Sequence, residues 1–188
     1  MKKLLTTGAL LLSCASAHAS LLSWHFSYTG FFDQKADQFL ADATIRGSFQ
    51  GNDLNRDGVL ARDELLSLVV DDLDYVACAG SSNAWYQCGA SAFSFAPDGG
   101  LHFAVGSHGS DPEGWVGGGR LITTGEQQYV YDFNPYGSTG RSLLWTDATR
   151  LDMVSQVPEP ASWALMAVGL AGIGWRMRRR PGATRMRA

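Results

Sequence analysis

From Leu22 to Thr29 the chain alternates without a break between large apolar residues, Leu22, Trp24, Phe26 and Tyr28, and small or polar ones, Ser23, His25, Ser27 and Thr29. Successive side chains of an extended strand point to opposite faces, so a period of two describes a half-buried strand, and a helix could not gather these residues on one side. Ala43, Ile45, Gly47 and Phe49 alternate in the same way with Thr44, Arg46, Ser48 and Gln50. Phe93-Ser94-Phe95 and Leu101 to Val105 flank Pro97-Asp98-Gly99-Gly100, where proline pre-sets φ and glycine accepts positive φ, so a hairpin is expected. A second hairpin is expected from Leu121 to Thr124, the turn Gly125-Glu126, and the alternating Tyr129, Tyr131 and Phe133. Leu143 to Thr146 and Leu151 to Val154 are placed to close the sheet. The expected fold is therefore mostly β, an antiparallel β-sandwich or barrel of seven or so short strands with glycine-rich turns. One short helix is expected, from Glu64 to Val70. No internal repeat is visible.

The chain has 188 residues and a formal net charge of -3, which hides a strong asymmetry. Between residues 20 and 157 there are 7 Lys and Arg against 17 Asp and Glu, leaving that stretch at -10, while six arginines crowd the end. A body this acidic repels phosphate backbones, which argues against nucleic acid as a partner and leaves divalent cations open.

Asp53-Leu54-Asn55-Arg56-Asp57-Gly58-Val59-Leu60-Ala61-Arg62-Asp63-Glu64 fits the pattern D-x-[DN]-x-[DN]-G-x5-E at every fixed position. The spacing gives the residue types their meaning. Oxygens of Asp53, Asn55 and Asp57 can converge on one point, Gly58 permits the sharp turn, Val59 offers its backbone carbonyl, and Glu64 can close the shell with both oxygens. Leu60 is the apolar residue such a loop turns toward the core. The segment resembles the calcium loop of EF-hands and dockerins, which implies bound calcium. Two features depart from that pattern: Ala61 stands where a ligand or water-binding residue is usual, and the preceding Ile45 to Phe49 reads as strand. A strand-loop-helix site of structural role is expected, with weak calcium affinity on the order of 10⁻⁴ to 10⁻³ M. The competing reading is an acidic surface turn that binds nothing.

No residue pattern of an enzyme emerges. His25, His102 and His108 with Asp111 and Glu113 are the candidates for a metal or acid-base site, but H-E-x-x-H and G-x-S-x-G are both missing from the sequence. His102 alternates with the apolar side of its strand and should face solvent. Gly114-Trp115-Val116-Gly117-Gly118-Gly119 reads as a glycine-rich loop. Trp85, Tyr86 and Trp115 could stack on sugars, although tryptophan in a small β domain more often belongs to the core. The body is thus expected to be non-enzymatic; the alternative is a secreted carbohydrate-binding module or hydrolase whose site is scattered in sequence.

The two ends carry targeting information. Lys2 and Lys3, the apolar stretch Leu4 to Leu12, and Ala17-His18-Ala19 have the layout of a secretory signal peptide over residues 1–19, with cleavage before Ser20. Leu11-Leu12-Ser13-Cys14 also matches a lipoprotein box with Cys14 as the acylated residue. Signal removal leaves Cys78 and Cys88 in an oxidising compartment, where a disulfide is expected between them. The body would then run over residues 20–155. Beyond it stand Val157-Pro158-Glu159-Pro160, the uncharged stretch Ala161 to Trp175, and Arg176, Arg178, Arg179 and Arg180, followed by a basic tail over residues 181–188. Fifteen helical residues rise about 22 Å, which with flanking Trp163, Trp175 and snorkelling arginines suits a short transmembrane helix. The arginines place the extreme C-terminus in the cytoplasm and the body outside.

The Pro158-Glu159-Pro160 motif, the apolar span and the arginine cluster over residues 156–180 resemble the PEP-CTERM sorting signal. The resemblance implies an exosortase in the inner membrane of a Gram-negative bacterium that recognises Pro158, Glu159 and Pro160, removes the tail and passes the chain to the outer surface or extracellular matrix. It also implies a transient inner-membrane anchor and exopolysaccharide as a companion. The residues after Arg180 extend past the usual tail.

Overall fold

The computed structural model describes residues 21–156 and Leu170. Eleven strands account for most of the body: β1 (Leu22–Asp33), β2 (Gln38–Gly51), β3 (Leu60–Ala61), β4 (Leu65–Val70), β5 (Leu73–Asp74), β6 (Tyr86–Ala96), β7 (Gly100–Ser110), β8 (Gly117–Thr123), β9 (Gln127–Asn134), β10 (Gly137–Leu144) and β11 (Arg150–Ser155). Two short 3₁₀ turns, Arg62–Glu64 and Cys78–Ser81, are the helical elements of the body. The strands form an open antiparallel sheet in the order β3-β6-β7-β8-β9-β10-β1-β2-β4-β5, with β11 added to β1.

Strand β1 organises this sheet because it is long enough to serve several partners. One edge pairs with β2 along most of its length, and the other pairs with β11 at Trp24–Thr29 and with β10 at Phe32 and Asp33. The handover occurs at Gly30, where the register shifts between Thr29 and Phe31. Gly30 has φ of 88°, and a Cβ there would come 2.9 Å from Phe39 Cζ, so only glycine lets the strand bend at this point.

The apolar side that β1 and β2 present is covered by β6 and β7, although these strands lie far apart in the sheet order. Phe26 meets Phe103 with ring centroids 5.4 Å apart, and Phe49 meets Phe93 and Phe95 at 5.2 and 4.9 Å. The sheet therefore curls until its two halves share one core, to which Ile45, Leu60, Leu68, Val70 and Ile122 contribute fully buried side chains. The Tyr28 hydroxyl, inside that core, donates to the Leu101 carbonyl at 2.9 Å, and burial pushes its pKa up to about 12.

Both hairpins read from the sequence are present, β6–β7 and β8–β9. The expected helix over Glu64–Val70 is not. Glu64 ends the 3₁₀ turn, and Leu65–Val70 is strand β4, pairing Val70 with Gly47 and Leu68 with Phe49. Leu65, Leu68 and Val70 are buried, while Leu66 remains 57% exposed. A bulge opposite Gln50 and Gly51 turns Leu65 inward and Leu66 outward and breaks the alternation, and the β-branched pair Val69-Val70 favours a strand once β2 offers a ladder. A second correction concerns Gly117-Gly118-Gly119, which belongs to strand β8; the loop expected there ends at Val116. Leu143 and Leu144 end β10, so Trp145 and Thr146 lie outside the strand expected through them.

Carboxylates lock two of the turns. Asp33 accepts from the backbone N–H of Ala36 and Lys35 through one oxygen and from Arg141 Nε at 2.7 Å through the other. The Ala36 bond, followed by Arg141, holds its carboxyl below the usual range. Burial draws the Asp74 carboxyl upward, but hydrogen bonds from the Ser67 hydroxyl and from the N–H of Ala77, Val76 and Leu68 more than offset it, and its pKa is lowered. The Cys78–Cys88 disulfide, with Cα atoms 5.6 Å apart, fastens the second 3₁₀ turn to β6. The expected signal peptide and the C-terminal transmembrane helix lie outside the described residues. Among the described residues no helix is long and apolar enough to cross a membrane.

Candidate functional site

The acidic loop 53–64 occupies a distinctive place in this topology. Strand β2 leads into it, the loop delivers the chain to β3 on β6, and the 3₁₀ turn returns it to β4 beside β2. It thus ties one half of the curled sheet to the other. The Asn52 N–H donates to the Glu64 carbonyl at 3.1 Å, closing the base of the loop.

Within the loop each short polar side chain accepts from the backbone ahead of it. Asp53 takes the N–H of Arg56 at 2.6 Å and of Gly58 at 3.0 Å, Asn55 takes that of Asp57 at 2.9 Å, and Asp57 takes that of Val59 at 2.8 Å. The Asn55 amide nitrogen also donates to Asp57 at 3.0 Å, so these two side chains are in contact. Arg56 and Gly58 adopt positive φ, 62° and 81°, which produces the tight coil that these bonds require. Leu60 is buried at 1% exposure and anchors the loop in the core, in the role its spacing suggested.

Glu64 behaves differently. Its side chain is buried, and its carboxylate accepts from three backbone N–H groups: Leu54 at 2.8 Å and Asn55 at 3.3 Å on one oxygen, Ala61 at 3.0 Å on the other. It closes the loop by binding main chain. A carboxylate oxygen has two lone-pair directions, so the Ala61-bound oxygen retains acceptor capacity. Among the described residues no three His, Cys, Asp or Glu side chains form a metal-holding group. The oxygen donors of Asp53, Asn55 and Asp57, together with the Val59 carbonyl, are nevertheless of the hard type that calcium takes.

The other candidates are dispersed. His102 and His108 are exposed on β7, and His25 is exposed on β1. Asp111 caps its own loop, accepting from the N–H of Trp115 at 2.6 Å and Val116 at 3.0 Å. Trp85 and Trp115 are 50% and 66% exposed, in contrast to the core position favoured for tryptophan, while Trp145 packs inside on Phe31 at 4.7 Å.

Residues 156–180 match the PEP-CTERM protein-sorting motif. No curated protein and no solved structure matches the chain. The motif is a signal processed by exosortase, so this is an exported, exosortase-targeted protein that passes through a membrane-anchored precursor.

Proposed function

We propose that the chain is a non-enzymatic component of the cell surface or extracellular matrix of a Gram-negative bacterium. In this reading the N-terminal signal starts export, and the segment after Pro160 holds the precursor in the inner membrane. Exosortase then releases the body to the outside, where exopolysaccharide is its partner. The sorting motif at 156–180 is the observation that carries the proposal. The disulfide, the carboxylate-locked turns and a core closed by aromatic contacts suit a body that must persist without chaperones.

Calcium is proposed as a structural ion of loop 53–64. Asp53, Asn55, Asp57 and the Val59 carbonyl would hold it, and Glu64 would contribute through the acceptor capacity left beside its main-chain bonds. Because the loop joins the two halves of the sheet, an ion there would stabilise the whole body. With a Kd near 10⁻⁴ M, about 10 mM calcium adds roughly 2.7 kcal/mol, or several degrees in Tm for a body of this size. Thermal unfolding with calcium and with magnesium tests this. Calcium should raise Tm and magnesium should do less, since its rigid octahedral demand suits the loop poorly. Asp53→Asn and Asp57→Asn, which each keep one of the two acceptor oxygens the loop uses and remove the charge, should remove most of the shift. An intact body whose Tm ignores calcium would reduce the loop to an acidic turn.

A further inference from the structure

Strands β6 to β9 bury one face and turn the other to solvent, and on that outer face lies a trough of about 610 Å³. Its floor is made of very small residues, with Gly89 opposite Gly106 and Ala104 next along the strand face. Leu121 leans over Gly106, where a Cβ would come 2.7 Å from Leu121 Cδ2, and forms one wall. Gln87, His108 and Gln127 are exposed along the trough and Thr123 is half-buried. Among the described residues none of these four side chains makes a hydrogen bond.

A row of tyrosines continues the same face. Leu121 pairs with Tyr129 and Gly119 with Tyr131; the Tyr131 hydroxyl reaches over β8 toward the trough, whereas the Tyr129 ring lies over Gly140 of β10, where a Cβ would come 2.8 Å from its hydroxyl. The two rings are stacked, with centroids 5.5 Å apart and planes 18° from parallel. Gly119 makes room for Tyr131: a Cβ there would sit 2.8 Å from His108 Cβ and 3.0 Å from the Tyr131 hydroxyl. The tyrosine therefore reaches across β8 toward His108 only because no side chain intervenes.

None of the residues lining the trough is Asp, Glu, Lys or Arg, although the body around it carries a net charge of -10 from 7 basic and 17 acidic residues. A trough without carboxylate, ammonium or guanidinium has nothing to select an anion or a metal ion. Its floor lies between paired strands, and along its one open side, where β6 pairs with β3 only at Ser94 and Phe95, the main chain of Cys88 and Ala90 is already bonded by the Ser82 hydroxyl and Arg62, which leaves little ladder for a peptide strand. Uncommitted amides, a hydroxyl and an imidazole beside a flat tyrosine ring match a ligand with many hydroxyls and apolar C–H faces. We propose that this trough binds a neutral polysaccharide strand, with Gln87, Gln127, His108 and Thr123 hydrogen-bonding its hydroxyls and Tyr131, backed by Tyr129, providing a stacking surface at its end. The proposal rests on the exopolysaccharide partnership put forward above and gives it a location; it does not depend on calcium.

The test is affinity electrophoresis of the full chain in detergent through gels containing a neutral glucan, a neutral mannan, or the anionic polymer polygalacturonate. At least one neutral polymer should retard the wild type. The double variant His108→Ala, Gln127→Ala, and separately Tyr131→Ala, should weaken that retardation about tenfold or more, as expected for losing around 1.4 kcal/mol. Tyr136→Ala, at a fully exposed turn, should leave it unchanged. Circular dichroism and Tm measured on each variant separate lost binding from lost folding, and Gln87→Ala serves where Tyr131→Ala proves unstable. Retardation by a neutral polymer that survives the trough variants, or retardation by polygalacturonate alone, overturns the trough while leaving the polysaccharide partnership standing. Retardation by no polymer at all removes both.

Discussion

The body and the sorting segment carry their information in opposite ways. Residues 156–180 announce their purpose through a few adjacent residues, Pro158-Glu159-Pro160, an uncharged stretch and arginines, because a processing enzyme reads a linear signal. The body announces its fold through alternation but not its purpose, because any surface it uses is assembled from strands that meet only in the sheet. The contrast implies that the two regions are separable. Damage to the core should cost stability without altering the sorting signal, and damage to the signal should block release from a fully stable body.

The largest effect within the body is expected at Phe49, which is completely buried among Phe26, Phe93 and Phe95 and joins the two halves of the sheet. Phe49→Ala should cost about 3–5 kcal/mol, read as a drop in the urea midpoint at unchanged slope. The same truncation at Tyr136, 99% exposed, should fall within about 0.5 kcal/mol of wild type. Comparable losses at the two positions would mean that the curled core is not where the stability lies.

Glu64→Ala comes next. It strips the partners from three backbone N–H groups at the closure of loop 53–64, so about 2–4 kcal/mol should be lost even in the presence of a chelator. This separates Glu64 from Asp53 and Asp57, whose asparagine variants lose one exposed acceptor each and should cost less than Glu64→Ala without calcium. If Glu64→Ala mattered only when calcium was added, its carboxylate would be a metal ligand and little else.

A smaller effect concerns acid. Asp33 and Asp74 both have lowered pKa values in the folded state. A depressed carboxylate stabilises the fold at pH above its ordinary unfolded value and loses that contribution as the pH falls through the folded value. The urea midpoint should therefore decline as the pH drops below about 4, and Asp33→Asn should flatten part of that decline. An unchanged acid limb in the variant would show that the Arg141 and Ala36 contacts contribute nothing in solution.

How far the sequence could be read follows from the same contrast. The strands at Leu22–Thr29 and Ala43–Gln50 and both hairpins were legible because one face is buried and the other polar, which leaves a period of two. Leu65–Val70 was misread because a bulge beside Gly51 buries Leu65 and exposes Leu66, so adjacent apolar residues serve opposite faces and the run fits a helix as well as a strand. The calcium-like loop was legible as fixed offsets, but the attachment of Glu64 to Leu54, Asn55 and Ala61 was not. Its spacing suits a main-chain cap and a metal ligand equally. The trough left no trace in the sequence, since Gln87, His108, Thr123 and Gln127 come from four strands and become neighbours only through register.

The most direct test of sorting is the intact mass of the chain released from cells, measured for the wild type and for Glu159→Ala. The released wild type should lack both Met1 to Ala19 and the segment after Pro160. The variant should remain in the membrane fraction at its longer mass, with the Tm of its body unchanged. Released wild-type protein that still contains Ala161 to Arg180 would contradict the account.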